Sequence, residues 1–171
     1  MRHIILYSIL LPALLILAGC AKDNLILTDS SQVLNSHNYL SPENATSENF
    51  KNILTPFEYS IIVDKGTEIP YTGSLLHNDK KGVYVTKGCG IPVFSSETKF
   101  DSGTGWPSFY APIDNNSIVL KEDDSLGISR TEVISKCGEH LGHVFDDGPP
   151  PTGLRYCINS AALDFIENDS Q

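Results

Sequence analysis

Positive charge is scarce in this chain. Its 171 residues include 12 Lys and Arg against 21 Asp and Glu, a formal net charge of −9 with histidine neutral. Setting aside Arg2 leaves 11 basic residues against 21 acidic ones, or −10. Phosphate binding needs a basic stripe, so nucleic acid is excluded as the expected partner. The acidity otherwise says only that the domain is soluble. Long apolar runs are lacking too. The one continuous run, Ile4 to Ala18, is shorter than the ~20 residues that span a bilayer. No internal repeat is present. From Ala21 to about Phe50 there is no long apolar periodicity, and this Asn-, Ser-, Asp- and Glu-rich stretch reads as a flexible tether. Cysteine is rare: Cys20, Cys89, Cys137 and Cys157, with none between Ala21 and Gly88.

Residues 1–19 carry Arg2 as their only charge, then the apolar run, then Leu17-Ala18-Gly19 before Cys20. A charged start, a short apolar core and small residues before a cleavage point describe a secretory signal peptide. A cysteine at that point resembles the lipobox of bacterial lipoproteins, which implies an exported chain held on a membrane by lipid on Cys20. Several acyl chains anchor stably where one binds only marginally. Ala21, rather than Asp, resembles the sorting signal for the outer membrane, periplasmic side, if the host has two membranes. The expected division is a signal peptide at 1–19, lipidated Cys20 and tether at 20–50, one compact domain at 51–167 and a tail at 168–171.

Within the domain, Thr55-Pro56-Phe57-Glu58 has the spacing of a helix start, with Thr as N-cap, Pro in the first turn and Glu reaching back. A short helix through Ile62 is expected, ended by Gly66. Short β-branched and aromatic runs follow at Val83–Thr86, Pro92–Ser96, Ser117–Leu120, Arg130–Ser135 and Leu154–Phe165, separated by Gly, Asp, Asn and Pro clusters. The reading is mainly β: compact antiparallel sheets in a barrel-like sandwich with a short N-terminal helix.

Chemistry points to Cys157, because a thiolate is the strongest nucleophile a protein carries without a cofactor. In Arg155-Tyr156-Cys157-Ile158-Asn159, alternation on a strand puts Arg155, Cys157 and Asn159 on one face and Tyr156 and Ile158 on the other. A cation and an amide beside the sulfur suit a low-pKa catalytic thiol, whereas a core cysteine needs neither. Other features have plainer readings of their own. Trp106 suits a core as well as a site. His140 and His143 could ligate a metal from a helix, but Val144-Phe145 and Gly142 make that stretch a strand, sending the two rings to different faces. Asp146-Asp147-Gly148 is by itself a turn.

From about Leu54 to Phe165 the chain resembles a B-type methionine-R-sulfoxide reductase. The resemblance rests on blocks in one order: Leu54-Thr55-Pro56, Gly66-Thr67-Glu68, Pro70 to Gly73, Lys99 to Gly103, Gly105 to Tyr110, Arg130 to Val133, His140 to Pro149, and Pro151 into Ser160. It implies thiol-dependent reduction of the R epimer of methionine sulfoxide in peptides and proteins, each epimer needing its own enzyme. Cys157 would attack the sulfoxide sulfur, giving a sulfenic acid and releasing methionine. His143 would protonate the departing oxygen, a task suited to histidine, with Asp147 and Asn159 completing its polar shell. Trp106 would hold the substrate methyl, with Phe109, His140 and Arg155 on the substrate side.

Departures from the family carry further expectations. Many members hold a structural zinc with two Cys-x-x-Cys pairs. Here Cys89 and Cys137 match the second cysteine of each pair. Thr86 stands three before Cys89, and Ile134, with Ser135 adjacent, stands before Cys137. No zinc or other cofactor is expected. Because the family sets the two knuckles side by side, a Cys89–Cys137 disulfide is expected in an oxidising compartment, worth roughly 4 kcal/mol on the chain-entropy account; two buried free thiols are the alternative. Thr104 occupies the position where many members have a resolving cysteine, so an external small thiol or thioredoxin-like protein should reduce Cys157. The competing class is a non-catalytic binding module on the same scaffold, which would have no need of Cys157, His143 and Asn159 together.

Overall fold

The computed structural model describes residues 37–125 and 127–168. The expected signal peptide, Cys20, Ala21 and residues 169–171 of the tail lie outside the described residues. Among the described residues, no helix is long and apolar enough to cross a membrane.

The part of the expected tether nearest the domain is packed against it. Helix α1 (Ser47–Ile53) is capped by the Thr46 side chain, and its Phe50 is 4% exposed. Before it, the Leu40 amide donates to the Gly88 carbonyl at 2.8 Å and the Tyr39 hydroxyl to Asp164 at 3.1 Å. A few anchors in a polar stretch are enough to tie it down, and composition averages them away. Helix α2 (Pro56–Ile62) carries the capping box read from the sequence: Thr55 accepts from the Glu58 amide, and Glu58 accepts from the Thr55 amide. It ends at Val63, ahead of Gly66, and buries Ile61 and Ile62.

Among the described residues nine strands follow in chain order: β1 (Gly82–Thr86), β2 (Pro92–Ser95), β3 (Lys99–Phe100), β4 (Ser108–Phe109) and β5 (Ile118–Asp123). The rest are β6 (Arg130–Ser135), β7 (His140–Phe145), β8 (Arg155–Ile158) and β9 (Leu163–Glu167). They form two antiparallel sheets, one in the order β2-β1-β9 and the other in the order β3-β4-β8-β7-β6-β5. The mainly-β expectation holds. Aromatic rings join the sheets: Phe94 of the smaller stacks on Phe109 of the larger at 4.5 Å, and Tyr84 meets Phe109 edge-on at 4.9 Å. This cluster, with Val133, Leu141, Tyr156 and Ile158, is the core.

The run expected as one strand from Leu154 to Phe165 is two strands in different sheets. The ladder stops at Asn159, a 3-10 turn over Ser160–Ala162 redirects the chain, and β9 joins β1. The cause is a side chain remote in sequence. The Glu68 carboxylate accepts the amides of Ser160 at 2.6 Å and Ala161 at 3.0 Å, stabilising the turn instead of a continued strand.

Candidate active site

Alternation along β8 turns Tyr156 and Ile158 into the core, 5% and 0% exposed, and leaves Cys157 on the opposite face. Cys157 sits opposite Ser108 on β4 and opposite His143 on β7, and His143 sits opposite Glu132 on β6. One row of polar side chains thus crosses four strands of the larger sheet. Gly142 lets the strands meet, because a side chain there would run into the Cys157 carbonyl.

The same register removes Phe109 from the substrate side. It pairs with Tyr156, is fully buried and packs between Phe94 and Tyr84. On β4, Ser108 faces Cys157, so its neighbour Phe109 must face the core. The strand reading of His140 and His143 also needs correcting. A register shift between Val133 and Ile134 sets Val133 against Gly142 and Ile134 against His140, so Leu141 is an extra residue. With the count shifted by one, the two imidazoles lie 5.4 Å apart, edge to face.

His143 does not use the partners expected for it. Its Nε2 lies 2.8 Å from Oδ2 of Asp123, at the end of β5, which also accepts from Arg130 at 2.6 Å. Hydrogen bonds from Ser125 and His143, with the charge of Arg130, hold the Asp123 carboxyl well below the usual range. An ionised carboxylate only accepts, so this bond assigns a proton to Nε2 of His143. Asp147 instead binds Arg155 with both oxygens at 2.8 Å, which lowers its own pKa, and the Arg155 guanidinium lies 4.4 Å from the centre of the Phe145 ring. Asn159 is 3% exposed. Its amide nitrogen donates to the Leu141 carbonyl at 3.1 Å and its oxygen accepts from the Glu68 amide at 3.0 Å.

His140 is 2% exposed and bonds Glu132 through Nδ1 at 2.7 Å, while Lys65 binds the other Glu132 oxygen at 2.9 Å. Burial pushes the His140 imidazole below its ordinary value although Glu132 pulls the other way. Its Nε2 is buried with no hydrogen-bond partner among the described residues. Burial also pushes the Cys157 thiol above its ordinary value, only partly offset by the Thr104 hydroxyl at 3.9 Å and the Arg155 charge. Burial therefore works against the low-pKa thiolate that the flanking cation suggested.

A cavity of about 140 Å³ is lined by Trp106, Arg130, His143, Phe145, Cys157 and Asn159. The Trp106 ring is set by its Nε1 donating to the Glu68 carbonyl at 3.1 Å. A larger cavity of about 390 Å³ shares Trp106 but contains none of the Cys157 row. Asp123, Arg130, Glu132 and Glu68 escaped the sequence reading as site residues. Arg130, Glu132 and Glu68 stand in blocks that carried the family resemblance. Asp123 is one of three consecutive acidic residues, and nothing local marks it.

Outside the lining of this pocket, Cys89 and Cys137 are bonded to each other with Cα atoms 6.6 Å apart, inside the ~7 Å that a disulfide can bridge. Beside them lies Glu139, fully buried, accepting from the Gly88 amide at 2.6 Å and the Ser135 hydroxyl at 2.8 Å, with Thr86 as a further donor. Burial raises the Glu139 pKa. Two sulfurs joined to each other and hydroxyls turned toward a carboxyl do not match a four-thiolate zinc cage.

Comparison with known proteins places this site in a wider set. A family profile described as SelR domain matches residues 54–167. The peptide methionine sulfoxide reductase MsrB of Leptospira interrogans is 55% identical over 123 residues, 71% of this chain and 94% of its own length. The enzyme of the same name from Methanosarcina barkeri is 55% identical over 121 residues, 70% of this chain and 85% of its own. The mitochondrial methionine-R-sulfoxide reductase B3 of Mus musculus is 48% identical over 126 residues, 73% of this chain and 50% of its own.

Proposed function

The chain belongs to the SelR family of B-type methionine sulfoxide reductases, and from that premise we propose how Cys157 serves a peptide-methionine (R)-S-oxide reductase. The carrying observation is that Cys157 and His143 stand opposite each other on adjacent strands and share one cavity with Trp106. The substrate methyl lies against the Trp106 indole and the sulfoxide oxygen faces His143. Cys157 sulfur attacks the sulfoxide sulfur, the oxygen passes to the cysteine, and methionine leaves with its thioether restored. The thiol proton, relayed by His143, ends on that oxygen, so Cys157 becomes a sulfenic acid and atoms balance. Because burial favours the protonated thiol, the nucleophile forms as substrate brings an acceptor for its proton. Asp123 orients His143, while Asp147 acts through Arg155 and Asn159 through its bonds to Leu141 and Glu68.

Recycling is direct. Thr104 stands beside Cys157 where a resolving thiol would act, and the cysteines at 89 and 137 are bonded to each other. An external thiol, small or thioredoxin-like, condenses with the sulfenic acid and expels water. A second thiol then frees Cys157 as a disulfide departs. No zinc takes part. The leader through Cys20 supports a lipid-anchored, exported enzyme repairing oxidised extracytoplasmic proteins. Changing Cys20 to Ser should release the chain from the membrane fraction, and a Cys20→Ser protein that stays there would sink the anchor. The activity itself is tested on a peptide carrying separated R and S sulfoxides with excess dithiothreitol. Wild type should consume R alone and Cys157→Ser neither; consumption of neither by the folded wild type would overturn the catalytic reading.

A further inference from the structure

We infer that Glu68 is a positioning residue: it holds the wall that receives the substrate methyl and the turn that follows the nucleophile in one register. This rests on the catalytic reading of Cys157 and Trp106 and goes beyond it. Glu68 makes four hydrogen bonds to two segments, the turn at 159–161 and Trp106. Its carboxylate accepts the Ser160 and Ala161 amides, its own amide donates to Asn159 Oδ1, and its carbonyl accepts from Trp106 Nε1. Asn159 passes the link on to the Leu141 carbonyl, two residues before His143. The indole, the turn after the nucleophile's strand and the histidine's strand are therefore tied through one residue, by its carboxylate and its backbone together.

The clasp is tight from outside as well. Gly73 lies so close that an added Cβ would meet Ser160 Cβ at 2.5 Å and Glu68 Oε1 at 2.7 Å. The Ser160 hydroxyl accepts the Leu75 amide at 2.8 Å, closing the loop over the carboxylate. A buried residue whose carboxylate accepts from the turn after Cys157, whose backbone N–H donates to Asn159 and whose backbone carbonyl accepts from Trp106 fixes the distance between methyl wall and nucleophile. Catalysis is sensitive to that distance at the ångström level.

Two substitutions strain the clasp independently. Glu68→Gln keeps the shape but turns an amide N–H toward the Ala161 N–H. Gly73→Ala leaves Glu68 intact and pushes on it. A third, Glu139→Gln, alters the fully buried glutamate beside the disulfide, as a control. Trp106 is the only tryptophan in the chain, so its emission reports the wall directly. The expected result is a fall of roughly 10- to 100-fold in kcat/KM for the R-sulfoxide peptide in both clasp variants, a shifted Trp106 emission and a changed Cys157 alkylation rate, measured well below the melting temperature. Glu139→Gln should lower the melting temperature and leave all three readouts at wild type. Should Glu68→Gln fail to fold, Gly73→Ala alone decides. Wild-type kcat/KM and unshifted emission in the folded clasp variants overturn the inference, as does an equal loss in Glu139→Gln. An inactive wild type counts against the catalytic reading alone, and emission with alkylation still tests the clasp.

Discussion

Cys157 and the Cys89–Cys137 pair are the same chemical group in opposite surroundings. Cys157 is alone on a strand flanked by other strands, facing a cavity, with a histidine, a cation and a hydroxyl near its sulfur. Cys89 and Cys137 follow β1 and β6 in tight turns, meet each other, and border a fully buried carboxyl rather than a pocket. A cysteine's fate is thus set by whether its neighbours leave it room and a proton acceptor, or another sulfur. Burial acts at both places, pushing up the Cys157 thiol at one and the Glu139 carboxyl at the other.

The sharpest break between the two regions should come from serine substitutions. Cys157→Ser is expected to abolish turnover, a loss of at least about 1000-fold, while the melting temperature stays close to wild type. Next in size, His143→Gln should lower kcat by about 100- to 10,000-fold, the range for a proton donor, and leave the disulfide and the folded fraction unchanged. At the other sulfur site, Cys89→Ser with Cys137→Ser should destabilise the domain by roughly 4 kcal/mol in urea titrations, with kcat intact at temperatures where the protein is folded. A stable double variant that performs one turnover but no second would falsify direct recycling and make the pair part of the electron path.

The smallest effect concerns protonation. Because the folded Cys157 pKa lies above the ordinary thiol value, iodoacetamide labelling should be slow near neutrality and accelerate only as pH rises past that value. Arg155 favours the thiolate, so Arg155→Met should move the labelling midpoint further up. A midpoint below that of a free cysteine peptide would restore the low-pKa thiol and require a different account of activation. The sign also bears on stability: a thiol whose pKa is raised by folding favours the native state below the unfolded value, and that contribution is lost as pH rises through the folded value.

Much of this was written locally in the chain. Thr55 to Glu58 specifies its own cap, and Arg155 to Ile158 specifies which side chains face the core, because both patterns depend on residues within one turn or one pleat. What was illegible depends on register between distant segments. Asp123 reaches His143 across 20 residues, and only the pairing of β5, β6 and β7 says which of three adjacent acids does so. Leu141 adds one residue to β7, and that single insertion decides whether two histidines meet. Phe109 lies in a block that resembles family members, yet its facing follows from pairing with Tyr156. Residues 37–50 looked unstructured by composition, whereas Tyr39, Leu40 and Phe50 are held individually.

The passage of one segment through both sheets has a consequence for traffic at the site. Residues 155–158 pair with β7, Tyr156 and Cys157 pair with β4 as well, and residues 163–167 complete the smaller sheet, so neither sheet can open without disturbing the other. The amide of Cys157 should exchange with deuterium only at the rate of whole-domain opening, unlike a sulfur carried on a hinged loop. Such a sulfur cannot swing out to be regenerated. The reductant must travel to it, and its thiol has to protrude far enough to enter the mouth beside Trp106.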